Sequence, residues 1–169
     1  MIYRNEASDS WRAGVIADFA GSELFDRTFQ EGMDLVEETA AYLDGAGRQE
    51  SKSLSRNAAL AYAGESMRLT TRLMQVASWL LVQRAVREGD IPPEAACDDR
   101  YRLGAEEVCR NENATTEDLP AGLLLLTERS ERLYERVRHL DRRMYVEEPT
   151  EAPNPVANHL DRLQAAFGR

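Results

Sequence analysis

The sequence predicts an all-α fold: a three-helix up–down–up bundle with a very long central helix, a wrapping acidic connector and a flexible C-terminal tail. Three observations lead there. Ala, Leu, Glu and Arg dominate a chain of 169 residues that is 43% hydrophobic and 30% charged, the composition of a helical protein with a real core. A stretch without proline runs from Leu54 to Gly89, with Gly64 its only interior glycine. Finally, Leu119, Leu123, Leu126, Ser130, Leu133, Val137, Leu140 and Met144 recur at 4–3 spacing, a coiled-coil-type seam.

Taken in order, residues 1–21 scatter Trp11, Val15, Ile16 and Phe19 and read as a loosely ordered arm with about one helical turn. Helix one follows from Ser22, a natural N-cap, with Glu23 in the first turn where it suits the helix dipole. Phe25, Phe29, Gly32, Val36, Thr39 and Leu43 form its amphipathic stripe. The loop GAGRQESKSLS is glycine-rich but lacks the spacing of a phosphate-binding loop and follows no strand, so it serves to reverse the chain.

The long helix starts at Ser55 as N-cap and stops at Gly89, with Pro92 just beyond. At 1.5 Å per residue it is about 50 Å long. One apolar stripe holds Leu60, Ala63, Met67, Thr70, Met74, Ala77 and Leu81; a second holds Tyr62, Ser66, Leu69, Leu73, Val76 and Leu80. Together they span nearly half the circumference and call for a neighbour on each side. Opposite the first stripe lies a line of Glu65, Arg68, Arg72, Gln75 and Trp79. From Val76 to Val86 the helix is apolar nearly all round, since Trp79, Val82 and Val86 occupy that side. Either the arm or the connector covers this segment, or a second subunit or partner does. Arg68, Arg72, Trp79, Val82 and Val86 are therefore candidate partner-binding residues, an Arg–Arg–Trp line being common at interface hot spots.

After Pro92 a short helix reaches about Cys97, and the acidic, turn-rich run to Asp118 reads as a wrapping loop. The last bundle helix begins at Pro120, which fits a first turn. VEEPTEAPNP, with three prolines in ten residues, is an extended linker. Beyond it, Val156, Leu160, Leu163 and Phe167 share one helical face, a segment able to dock in a groove on a partner or on its own bundle. The expected division is arm 1–21, bundle 22–145 and tail 146–169.

The net charge of −9 is unevenly spread. Ser22–Gly45 carries seven acids against one base, Leu54–Glu88 five arginines against two acids, Asp90–Asp118 nine acids against three bases, and Pro120–Met144 six bases against four acids. Alternating acidic and basic helices suit neighbours whose flanks attract. An acidic chain with a pI near 4.8 argues against nucleic-acid binding. No apolar run is long enough for a membrane, and the N-terminus lacks a signal-peptide core. Cys97 and Cys109 lack metal-ligand spacing and read as reduced thiols of a cytoplasmic protein, a disulfide between them being the alternative. The chain has two histidines, His139 and His159, and no metal pair, nucleophile elbow or nucleotide loop. No enzyme, metal or cofactor is expected.

One further pattern is specific. EGMDLVEETAAYLDG, GRQESKSLSR and LAYAGESMRLTTRLMQVASWLLVQRAVREG, with YRLG, the LP at Leu119–Pro120 and SERLYERVRHLD, resemble the small alphaproteobacterial family of regulators of CtrA degradation. The resemblance spans about two-thirds of the chain. It implies a dimeric helical bundle without a catalytic site, acting as an adaptor for the ClpXP protease in cell-cycle regulation. The implied partners are the ClpX unfoldase complex, reached through a response-regulator-like adaptor, and substrate transcription regulators. A helical interaction or signalling scaffold unrelated to proteolysis is the alternative.

Overall fold

The computed structural model of the chain describes residues 6–109 and 118–145, and among these every regular element is helical. Three long helices, α2 (Glu23–Asp44), α4 (Arg56–Glu88) and α7 (Ala121–Tyr145), pack on one another. Their bounds follow from local chemistry. The Ser22 and Ser55 hydroxyls accept from the Phe25 and Ala58 amides at 3.1 and 3.2 Å, satisfying donors that have no partner inside the helix. Gly89 ends α4 at φ +82°, a left-handed conformation that a side chain would disfavour.

The N-terminal region departs from expectation. Instead of a loose arm there is α1 (Glu6–Ala20), a 15-residue helix. Ala13, Ile16, Phe19 and Ala20 are buried on it, and its edge lies against α4 and α7. Small alanines fill half of that stripe, which hid the pattern from a reading that looked for large apolar anchors. Ser22 joins the two helices by also donating to the Phe19 carbonyl at 2.6 Å.

The loop after α2 contains α3 (Ala46–Ser51). The chain reverses there under tight packing. A Cβ on Gly47 would lie 2.6 Å from one edge of the Tyr42 ring, and a Cβ on Gly122 2.6 Å from the other. Tyr42 is thus held between two glycines, one from each neighbouring element.

The order of the bundle is also corrected. Arg129 bonds Glu38 and Arg136 bonds Glu31, so α7 is antiparallel to α2. Arg87 bonds Asp26, so α4 is antiparallel to α2 as well. Between α4 and α7 the bonds join Arg72 to Ser130, Trp79 to Asp141 and Gln83 to Tyr145, an ascending series. The two helices are parallel, and the order is up–down–down rather than up–down–up. The connector makes this possible, because it is long enough to travel back along the bundle before α7 starts. It does so through α5 (Pro93–Ala96), a 3-10 turn at Asp99–Tyr101 and α6 (Glu106–Cys109). The ion pairs of α2 with α4 and α7 realise the attraction of acidic and basic flanks.

The seam expected on α7 is the core: Leu119, Leu123, Leu126, Ser130, Leu133, Val137 and Met144 are all buried, and Leu140 is partly so. Its neighbours are the second stripe of α4, where Leu69, Leu73, Val76 and Leu80 are buried. A Cβ on Gly32 would come 2.7 Å from Leu80 Cδ1, so glycine there lets α2 and α4 approach closely.

Candidate interaction surface

The face of α4 that reads as polar is inside the protein. Arg72 is fully buried. Its Nε and Nη2 donate to the Cys109 carbonyl at 3.2 and 3.0 Å, its Nη1 to Ser130 Oγ at 2.8 Å, and Nη2 also reaches Glu131 at 3.5 Å. A buried guanidinium is tolerated because most of its donors are used. One turn on, Gln75 Oε1 accepts from the Gly104 amide at 3.3 Å. One more turn on, Trp79 is 2% exposed, against Phe19 at 5.6 Å between ring centroids. Its indole N–H donates to Asp141 Oδ1 at 3.1 Å.

Asp141 gathers three elements. Besides Trp79 it accepts from the Leu103 amide at 3.0 Å and from Arg102 at 3.2 Å. The carboxylate, 2% exposed, thereby ties the connector across α4 and α7. Gln83 donates to the Tyr145 hydroxyl at 3.4 Å, and burial pushes that phenol up to about 12. Tyr134 donates to the Gly104 carbonyl at 3.3 Å and is raised above its ordinary value, chiefly by burial. Burial likewise raises the Cys109 thiol, with Arg72 pulling the other way. A thiol so shifted is a poor nucleophile.

These contacts place the sequence candidates. Arg72, Trp79 and Val86 are buried in their own chain, so cover comes from α1, the connector and α7, not from a second subunit. Val82 is half-buried, and Arg68 keeps 38% of its side chain exposed while pairing with Glu65 at 2.5 Å. Val156, Leu160, Leu163 and Phe167 lie outside the described residues. Sequence reasoning missed Asp141, a single acid just before two arginines, and the burial of Gln83 and Tyr145. A polar residue adjoining an apolar seam is the only local signal for them.

The surface that remains open is the first apolar stripe of α4, expected to face a neighbour within the bundle. Leu60 is 67% exposed, Met67 72%, Met74 63% and Leu81 51%. They lie seven residues apart along one line. Elsewhere a shallow groove of about 400 Å³ is lined by Leu24, Thr28, Glu135, Arg136, His139 and Leu140. His139 is exposed there, and Glu135 on the same lining has both carboxylate oxygens bonded by Arg138. Among the described residues no cluster of His, Cys, Asp and Glu could hold a metal, and no helix is long and apolar enough to cross a membrane.

Comparison with known proteins agrees with this architecture. The family described as "Protein of unknown function (DUF1465)" matches residues 16–167. The crystal structure of RcdA from Caulobacter crescentus CB15 is 73% identical, aligned over 78% of this chain and 99% of that one, with a TM-score of 0.65. No curated protein sequence matches the chain.

Proposed function

This chain belongs to the DUF1465 family, and on that premise we propose that it is a non-enzymatic adaptor recruiting substrate proteins to the ClpXP protease during cell-cycle regulation. The observation that carries the reading is the 73% identity to RcdA, whose name denotes a regulator of CtrA degradation. In this reading the chain is a cytoplasmic homodimer in an alphaproteobacterium. It meets the ClpX unfoldase through a response-regulator-like protein and holds transcription regulators as cargo, with neither nucleic acid nor membrane as a partner.

The mechanism is recruitment, in which tethering raises the local concentration of cargo and no bond is made or broken. The geometry suits that role. Polar groups of the bundle are tied to one another, so it acts as a stiff platform, while apolar side chains remain on its outside. Arg68 and Val82, on the flank of α4, and the tail residues Val156, Leu160, Leu163 and Phe167 are the proposed partner contacts. Arg72, Trp79 and Val86 support the platform from within.

The test is a pull-down with the full chain from cells holding a proteolytically inactive ClpP. Enrichment of the unfoldase, a receiver-domain protein and short-lived regulators is expected. Partners lacking every protease component would replace the adaptor with a general interaction scaffold. Removing residues 147–169 should lengthen the half-life of at least one regulator.

A further inference from the structure

The shallow groove between the start of α2 and the end of α7 has Leu24 and Thr28 as one wall and Glu135, Arg136, His139 and Leu140 as the other. Most of its surface is apolar, and Leu24 stands 53% exposed at its edge. Two of its polar members are engaged elsewhere: Arg136 bonds Glu31, and Arg138 holds both oxygens of Glu135. The end of α7 at Tyr145 lies about 9 Å beyond His139 at 1.5 Å per residue. Residues 146–169 continue from that point.

We infer that this groove is the docking site of the chain's own C-terminal segment, with Leu160, Leu163 and Phe167 as anchors. Reach selects it first. The ten residues VEEPTEAPNP extend to about 31 Å at 3.1 Å per residue, enough for a return past the last turn of α7. They fall short of the far end of the bundle, since the 25 residues of α7 alone are about 38 Å long. Shape agrees. At 100° per residue Val156, Leu160, Leu163 and Phe167 share a face flanked by Ala157, Ala166, His159 and Gln164, while Asp161 and Arg162 fall opposite. Small flanks let such a helix lie in a shallow trough. Leu160 to Phe167 covers about 10 Å along a helix, against about 8 Å from Glu135 to Leu140. Charge agrees as well. Arg142 and Arg143 are exposed in the last turn of α7, and no ion pair among the described residues engages either. On the helical wheel Arg143 falls between His139 and Leu140, one turn further on. Glu147, Glu148 and Glu151 of the linker pass these arginines as the chain turns back. A segment seated in the groove cannot offer the same face to anything else, so a partner of the tail must first displace it. The docking is a property of the chain alone and goes beyond the adaptor reading.

Amide exchange and a spin label in the full chain test it. Exchange across residues 156–167 should be slower by at least about tenfold than in a variant carrying Leu163→Lys and Phe167→Lys. Leu24→Glu, at an exposed position where an acid suits the helix start, should remove the same protection while the bundle still melts cooperatively. A nitroxide at Arg169→Cys, with Cys97 and Cys109 buried, should broaden the amide signals of Leu24, Thr28 and His139 and spare Asp44 and Ala121 at the other end. Exchange at the rate of an unfolded peptide would overturn the inference. Protection that survives Leu24→Glu would also overturn it, placing the segment on another surface such as the open stripe of α4. Broadening that arises when spin-labelled copies are mixed with isotope-enriched, unlabelled ones would give the groove to the tail of a second copy and refute docking within one chain. None of these results alters the recovery of protease components in the pull-down, and loss of those components leaves the exchange rates as they are, so the two readings fail separately.

Discussion

One face of α4 carries Glu65, Arg72, Trp79 and Gln83 and is buried; the other carries Leu60, Met67, Met74 and Leu81 and is open. In an ordinary surface helix the charges would be outside and the methionines inside. The difference comes from what each face meets. The buried face meets elements that supply matched groups: a carbonyl from Cys109, a hydroxyl from Ser130, a carboxylate from Asp141 and a phenol from Tyr145. Among the described residues, nothing covers the open face. Hydropathy ranks residues by their cost of burial when alone, and here the polar groups are not alone.

Substitutions on the two faces should separate cleanly. The largest effect is expected from Trp79→Ala, which empties a site lined by Phe19 and removes one of the three donors to Asp141; a loss of about 3–5 kcal/mol in chemical denaturation is expected. A loss below 1 kcal/mol would place Trp79 at a surface after all. Next comes Arg72→Met, which keeps much of the volume but leaves the Cys109 carbonyl and Ser130 hydroxyl short of a donor. It should cost about 1–3 kcal/mol, and amide exchange in α6 should rise because that turn loses its anchor. On the other face, Met67→Lys combined with Met74→Lys should change the unfolding free energy of the monomer by no more than about 0.5 kcal/mol. The same change should abolish self-association in sedimentation. A collapse in stability instead would mean that the stripe is core.

The smallest effect concerns pH. Tyr145 is held neutral by burial, its pKa raised from 10 to about 12, and Tyr134 and Tyr42 are raised in the same direction. The unfolded chain releases these protons first, so stability is intact below pH 10 and is lost as pH rises toward 12. Tyr145→Phe should flatten that alkaline limb in thermal melts recorded from pH 9 to 12, and an unchanged slope would remove Tyr145 from the account.

Much of the fold was legible. The Ser22 and Ser55 caps, the Gly89 stop and the α7 seam are local signals, and each acts where it stands. The long uninterrupted helix needed no more than the absence of proline. What could not be read was set by distant partners. Arg72 looks solvated because its acceptors stand 37 and 58 residues away, and no pattern within a helix reports them. The direction of α7 depended on where the connector runs, a matter of chain path rather than periodicity. The site was legible in the reverse sense. Met67 and Met74 read as apolar and inward from the sequence, whereas both stand exposed on the outside of α4. The line of Arg68, Arg72 and Trp79 was noticed for its composition, yet only Arg68 reaches the surface.

The parallel run of α4 and α7 has a mechanical consequence. A pull on the C-terminal end of α7 acts on Tyr145 and Met144 and reaches Asp141 within the first turn. There the load passes at once to Trp79 on α4 and to Leu103 and Arg102 on the connector. Peeling α7 must break this junction before any of the leucine seam above it can open. Asp141→Asn should therefore lower the force at which the bundle yields when the C-terminal end of α7 is drawn in single-molecule pulling. The bundle is in this way fastened by a polar junction one turn from the C-terminal end of α7.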